Sequence, residues 1–182
     1  PDPNPPTPGD APTDRKTGSP WPAGHDIYWH ERGLPRTSMH WEVQPAGLTQ
    51  LLERVWTEYA QPVGTILYVT ENGAAYDDEL VEVDGEKTVP DTERAEFLRV
   101  HLGAILDAQD AGVDVRGYFY WSLLDNFEWA WGYEKRFGIV HVDYHTQERT
   151  LKDSAKEYRR VIADRAIDVP APADAARTAV PR

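Results

Sequence analysis

Thr65 to Thr70 is a nearly continuous apolar stretch of strand-forming residues that stops on the carboxylate of Glu71, with Asn72 and Gly73 behind it. Such a run has no polar face to give to water, so it reads as a strand buried on both faces of a parallel sheet. Parallel strands must be joined by crossovers, usually helical, which commits the chain to an α/β fold. An acid that ends such a strand lies at the C-terminal rim, where parallel α/β enzymes build their sites.

The flanking sequence fits. Leu48, Leu51, Leu52, Val55, Trp56 and Tyr59 recur with helical spacing and predict a helix before the strand, with Gly64 closing the connection. After the strand, Asp84-Gly85 predicts a turn, and Asp91 is a candidate cap for a helix with the apolar stripe Leu98, Leu102, Ile105 and Leu106 and a stop at Gly112. Val113 to Leu124 reads as a second strand and Phe137 to Tyr144 as a short extra one. A closing helix is expected from Asp153 to about Ala163, with Tyr158, Val161 and Ile162 facing inward.

The order is helix, strand, helix, strand, helix. Two main strands are too few for a closed eight-stranded barrel, which typically needs about 250 residues. The expected fold is therefore α/β, the C-terminal part of a (β/α)8 barrel carrying about the last two βα units. Residues 1–24 are rich in Pro, Gly, Asp and Thr and are expected to be a loop or disordered lead-in. Residues 25–163 form the partial barrel domain, and the Ala- and Pro-rich residues 164–182 are expected to be a disordered tail.

Composition narrows the partners. The 182 residues carry a net charge of −12, which repels phosphate backbones and anionic membranes, so neither a nucleic acid nor a membrane is an expected partner. No apolar stretch approaches the roughly 18 to 20 residues of a membrane span, and no secretory leader opens the sequence; a cytoplasmic location is the expectation. The chain has no Cys, which excludes disulfides and thiolate metal sites, and no metal or cofactor is expected. Seven Trp are a skewed usage that suits stacking on sugar rings, although an aromatic core would use them equally well.

Trp121 occupies on the second strand the rim position that Glu71 occupies on the first, so the two should be neighbours. Taken alone, Trp121 serves either as a stacking platform or as a core plug. Glu128 and Trp129 follow in the next loop, where a carboxylate can accept hydroxyl protons and an indole N–H can donate to a further oxygen; a solvated loop charge beside a capping aromatic is the plainer alternative.

The segments YVTENG and WSLLDNFEWAWGYEKRFGIVHVDY, with MHWEVQPAGL before them, resemble the signatures of glycoside hydrolase family 1, the retaining β-glucosidases. The resemblance runs from about Arg36 to Ile162, with three motifs in the family's order and spacing. It implies that Glu71 is the catalytic nucleophile, that Trp121 is the platform under the glycone, that Glu128 and Trp129 hold the sugar's hydroxyls, and that Phe137 lines the same subsite. Asn72 and Tyr120 resemble supporting residues, and Tyr133, Lys135 and Arg136 match the family in structural roles.

The resemblance also implies an unphosphorylated β-D-glucoside or oligosaccharide as substrate, with fucosides or galactosides tolerated. Branches of the family that take 6-phosphorylated sugars are expected to carry Ser in place of Glu128 and Tyr in place of Phe137. The family's acid/base Glu stands in an Asn-Glu-Pro motif that this sequence lacks. The resemblance thus implies that the N-terminal barrel half is a needed partner, and that the chain alone is a catalytically inactive fragment with at most weak sugar binding.

Overall fold

Pro45 stands in the first turn of α1 (Pro45–Val55), where a missing N–H costs nothing and a fixed φ favours the helix. The helix runs on through a wider turn at Trp56–Ala60 and a tight one at Gln61–Val63, then stops at Gly64, whose φ of 67° suits glycine. The computed structural model describes residues 32–168. The expected lead-in at 1–24 and most of the expected tail at 164–182 lie outside the described residues.

The remaining elements follow in chain order: β1 (Leu67–Asn72), β2 (Val81–Val83), β3 (Glu86–Thr88), α2 (Thr92–Asp110), β4 (Val115–Tyr120), β5 (Val140–Val142), β6 (Arg149–Leu151) and α3 (Asp153–Asp164). β1 and β4 pair in parallel, with Leu67 opposite Val115 and Asn72 opposite Tyr120. β2 and β3 form a hairpin around the expected Asp84-Gly85 turn, both residues having positive φ.

One face of the β1–β4 pair is covered. Leu52 from α1 and Ile105 and Ala108 from α2 pack with Val69, Val113 and Val115, and Leu48, Trp56, Leu102 and Tyr118 close the edges of this core. Tyr68 and Phe119, on the other face, are 51% and 58% exposed. The expectation of a strand buried on both faces is thus corrected: among the described residues helices cover only one side, and β1 alternates accordingly.

Several boundaries and faces also differ from expectation. Leu51, Tyr59, Leu106 and Ile162 are exposed, outside the clusters that Leu52, Ile105 and Ala155 join. The second strand ends at Tyr120, and the extra strand is only Val140–Val142, pairing antiparallel with β6, which its three residues leave invisible to pattern. Asp91 does stand at the start of α2, but its carboxylate does not cap the helix. It accepts instead from the Ser154 N–H at 2.8 Å and hydroxyl at 2.5 Å, tying α2 to α3. No described helix is long and apolar enough to cross a membrane.

Candidate active site

β1 carries Glu71 to its C-terminal end, where the side chain is exposed at the mouth of the sheet. The next residue, Asn72, is anchored by the Tyr118 hydroxyl, 3.0 Å from its Oδ1, and its carbonyl accepts from the Trp121 N–H at 3.0 Å. Gly73 then passes directly against the Trp121 backbone; a Cβ there would overlap the Trp121 carbonyl oxygen, so only glycine permits this approach. The Ala74 N–H reaches the Tyr120 hydroxyl oxygen at 3.4 Å. Glu71 and Trp121 are therefore held as neighbours by main-chain contacts between the ends of β1 and β4.

The loop after β4 supplies the rest. Glu128 precedes a single tight turn at Trp129–Trp131, and its N–H donates to the Gly132 carbonyl at 2.6 Å. Partial burial pushes the Glu128 carboxyl above the ordinary glutamate range. Trp129 is 79% exposed, an unusual state for an indole and one that leaves its face and N–H available. Phe137 is buried, packed with Met39, Ala75 and Trp131.

Glu71, Trp121, Glu128, Trp129 and Phe137 line a single cleft of about 700 Å³. Asn72 lines it too, while Tyr120 and Tyr118 act from beneath. Lys135 and Arg136 point away into structural contacts: Lys135 Nζ donates to the Ser38 carbonyl at 2.9 Å and lies over the Trp131 ring, and Arg136 Nη1 donates to Asp125 Oδ2 at 2.6 Å.

The cleft has a second wall that pattern reading did not assign. Trp41, Glu42 and Gln44 line it from the segment before α1, and the Trp41 ring stands 6.0 Å from that of Phe137. Arg32 is there as well, paired with Glu42 through Nε at 3.0 Å, and its own N–H together with that pair holds the Glu42 carboxyl below the ordinary range. The Ser38 N–H donates to the Ala75 carbonyl at 3.0 Å, which docks this segment on the Glu71 loop. An acid beside a Trp just before a helix was the available signal.

Phe97 and His101 of α2 line the deep end, with rings stacked at 3.8 Å and His101 Nδ1 placed 2.8 Å from the Phe97 carbonyl. That contact puts the neutral imidazole's proton on Nδ1. Burial holds the His101 pKa below the ordinary histidine range, outweighing the opposing effect of the carbonyl. Its folded pKa being depressed, the unfolded chain binds a proton first on acidification, so stability from this group is present above about pH 6.5 and is lost as pH falls. We expect His101→Gln to flatten the acid-side decline in the unfolding free energy read from urea melts between about pH 7.5 and about pH 5.5, the slope removed being no more than about 1.4 kcal/mol per pH unit. Parallel slopes for variant and wild type would exclude His101 as the source.

Comparison with known proteins places the chain. The family model described as Glycosyl hydrolase family 1 matches residues 10–167. The sequence is 49% identical to β-glucosidase A of Thermotoga maritima over 76% of this chain and 30% of that protein. It is also 49% identical to a bifunctional β-D-glucosidase/β-D-fucosidase of Bifidobacterium breve, over 79% of this chain and 31% of that one. A 6-phospho-β-galactosidase of Staphylococcus aureus is 46% identical over 70% of this chain. The solved family 1 β-glucosidase of Thermotoga maritima superposes with a TM-score of 0.71 at 48% identity, over 78% of this chain and 30% of that one. The chain spans about 30% of the length of the curated relatives it matches.

Proposed function

Since this chain belongs to glycosyl hydrolase family 1, we propose that it forms the C-terminal portion of a (β/α)8 barrel and supplies the nucleophile and glycone half of a retaining β-glucosidase site. The observation that carries this is the single cleft lined by Glu71 and Glu128 together with Trp121, Trp129 and Phe137. Carboxylates and flat apolar faces together match a pyranose, which presents hydroxyl donors at its edge and C–H groups on its face.

In the chemistry this supports, Glu71 attacks the anomeric carbon and forms an ester to the sugar as the glycosidic C–O bond breaks. The departing oxygen takes its proton from a second carboxyl group about 5 to 5.5 Å from the first. This chain has no Asn-Glu-Pro tripeptide to supply that group, so the remainder of the barrel must bring it. Water then cleaves the ester with the anomeric configuration retained. Without that remainder, the chain is inactive and binds sugar weakly at best.

Glu128 argues for an unphosphorylated glucoside. Its carboxyl is already above the ordinary range from burial, and a phosphate brought into the same cleft would add like charge. Among the described residues, Arg32 lines the cleft paired to Glu42, and nearby Lys135 donates to the Ser38 carbonyl.

The test is a complete barrel polypeptide containing these residues, assayed on an aryl β-glucoside and its 6-phosphate. The unphosphorylated substrate should win by at least tenfold, fucosides and galactosides being slower alternatives. In the same polypeptide, Glu128→Ala should lose about 2 to 4 kcal/mol of transition-state stabilisation for the glucoside. Its melting temperature should barely move. A preference for the 6-phosphate, or lowered stability with kinetics unchanged, would contradict this assignment.

A further inference from the structure

Beneath the cleft lies a cluster of ionic groups that the proposed chemistry leaves unused. Arg94 and Lys152 are fully buried. Arg94 Nη1 donates to Asp78 Oδ1 at 2.8 Å and to Asp91 Oδ2 at 2.5 Å, and Lys152 Nζ pairs with Asp78 and with Asp125 Oδ1, the latter at 2.8 Å. Buried pairs of this kind add little net stability over apolar residues of the same size, because desolvation offsets attraction. Their value lies in geometry, since a buried network in which each polar atom has a partner admits few arrangements.

Two further N–H groups of Arg94 reach main chain on two different loops. Nε donates to the Ala74 carbonyl at 3.3 Å, in the loop that leaves Glu71. Nη2 donates to the carbonyl of Arg136 at 2.8 Å, the residue before Phe137. One rigid, planar guanidinium thus spans the loop of the carboxylate and the loop of the sugar wall, with Asp78 and Asp91 fixing its orientation. A lysine ammonium carries the same charge but lacks the fork that reaches both carbonyls.

We propose that Arg94 is a positioning residue for glycoside cleavage, setting the separation between the Glu71 carboxylate and the Phe137 wall by holding the Ala74 and Arg136 carbonyls on one guanidinium. The role rests on Glu71 acting as the nucleophile. Misplacing a reacting group by about 1 Å can cost on the order of 10² in rate. Substrate contacts to Trp121 and Glu128 do not run through Arg94, so binding should survive its loss.

The experiment uses a complete barrel polypeptide containing these residues, with Glu71→Ala as the control. Arg94→Lys should lower kcat for an aryl β-glucoside by about 30-fold to 100-fold, with KM within about threefold of wild type. The stoichiometry of sugar binding counts working sites, so a merely structural defect would reduce that stoichiometry while per-site turnover stayed normal. Per-site turnover within threefold of wild type in folded Arg94→Lys overturns the proposal. If Arg94→Lys does not fold, Asp91→Asn decides, because it keeps the guanidinium but loosens one of its anchors: a kcat at least fivefold lower at unchanged KM supports the role, and an unchanged kcat overturns it. An active Glu71→Ala control would instead remove the nucleophile assignment itself.

Discussion

Replacing Glu71 by alanine in a complete barrel that contains these residues should lower turnover of an aryl β-glucoside by roughly 10⁴-fold or more. The side chain is exposed at the end of β1 and belongs to no core cluster, so folding should be untouched. Removing the nucleophile also opens space on its face of the sugar. Added azide should therefore restore part of the activity by attacking the anomeric carbon directly, giving a glycosyl azide of inverted configuration. More than a tenth of wild-type turnover in the variant would sink the nucleophile assignment.

The second large effect is on stability. Asp125 is 4% exposed and accepts from four groups: Gly138 N–H at 3.0 Å, Val142 N–H at 3.4 Å, Arg136 Nη1 at 2.6 Å and Lys152 Nζ at 2.8 Å. Gly138 presses against the Asp125 backbone so closely that a Cβ would collide with it. Asp125→Ala strips a carboxylate from a Lys152 that has no exposed surface, leaving Asp78 as that ammonium's remaining carboxylate partner and two main-chain N–H groups without their acceptor. Removing one partner of a buried ionic cluster typically costs about 3 to 5 kcal/mol. Urea unfolding of the complete barrel should show a loss of that size. A loss below about 1 kcal/mol, the scale of an exposed pair, would mean that Asp125 is solvated in solution.

How much of this was legible in the sequence follows from the range of each signal. The rim acid of β1 and the Trp that follows β4 are local, each recognisable at a strand end, whereas Glu128 and Trp129 lie eight and nine residues beyond β4 and are marked only by the family resemblance; all four line the cleft. The hairpin at Asp84-Gly85 is equally local. The ionic cluster is not: Asp78 and Lys152 are 74 residues apart, and nothing in their neighbourhoods marks them as partners. Asp91 shows how a local rule misleads, since a carboxylate at a helix start suggests a cap but here finds stronger donors on Ser154 and Arg94.

Likewise, Trp41 comes to face Phe137 only after the chain between them has folded. His101 lies in the buried stripe of α2 with Phe97, Leu98 and Ile105, where spacing alone describes a core residue. Its place at the cleft depends on how α2 lies against the neighbouring elements.

The most direct test of the central claim is the configuration of the first-formed product. A complete barrel containing these residues, acting on an aryl β-glucoside in an NMR tube, should release β-glucose first, with the α anomer appearing only later by mutarotation. A rapidly quenched sample should carry its sugar on the peptide that contains Glu71. Initial release of α-glucose, or an adduct on any other carboxylate, would contradict the account.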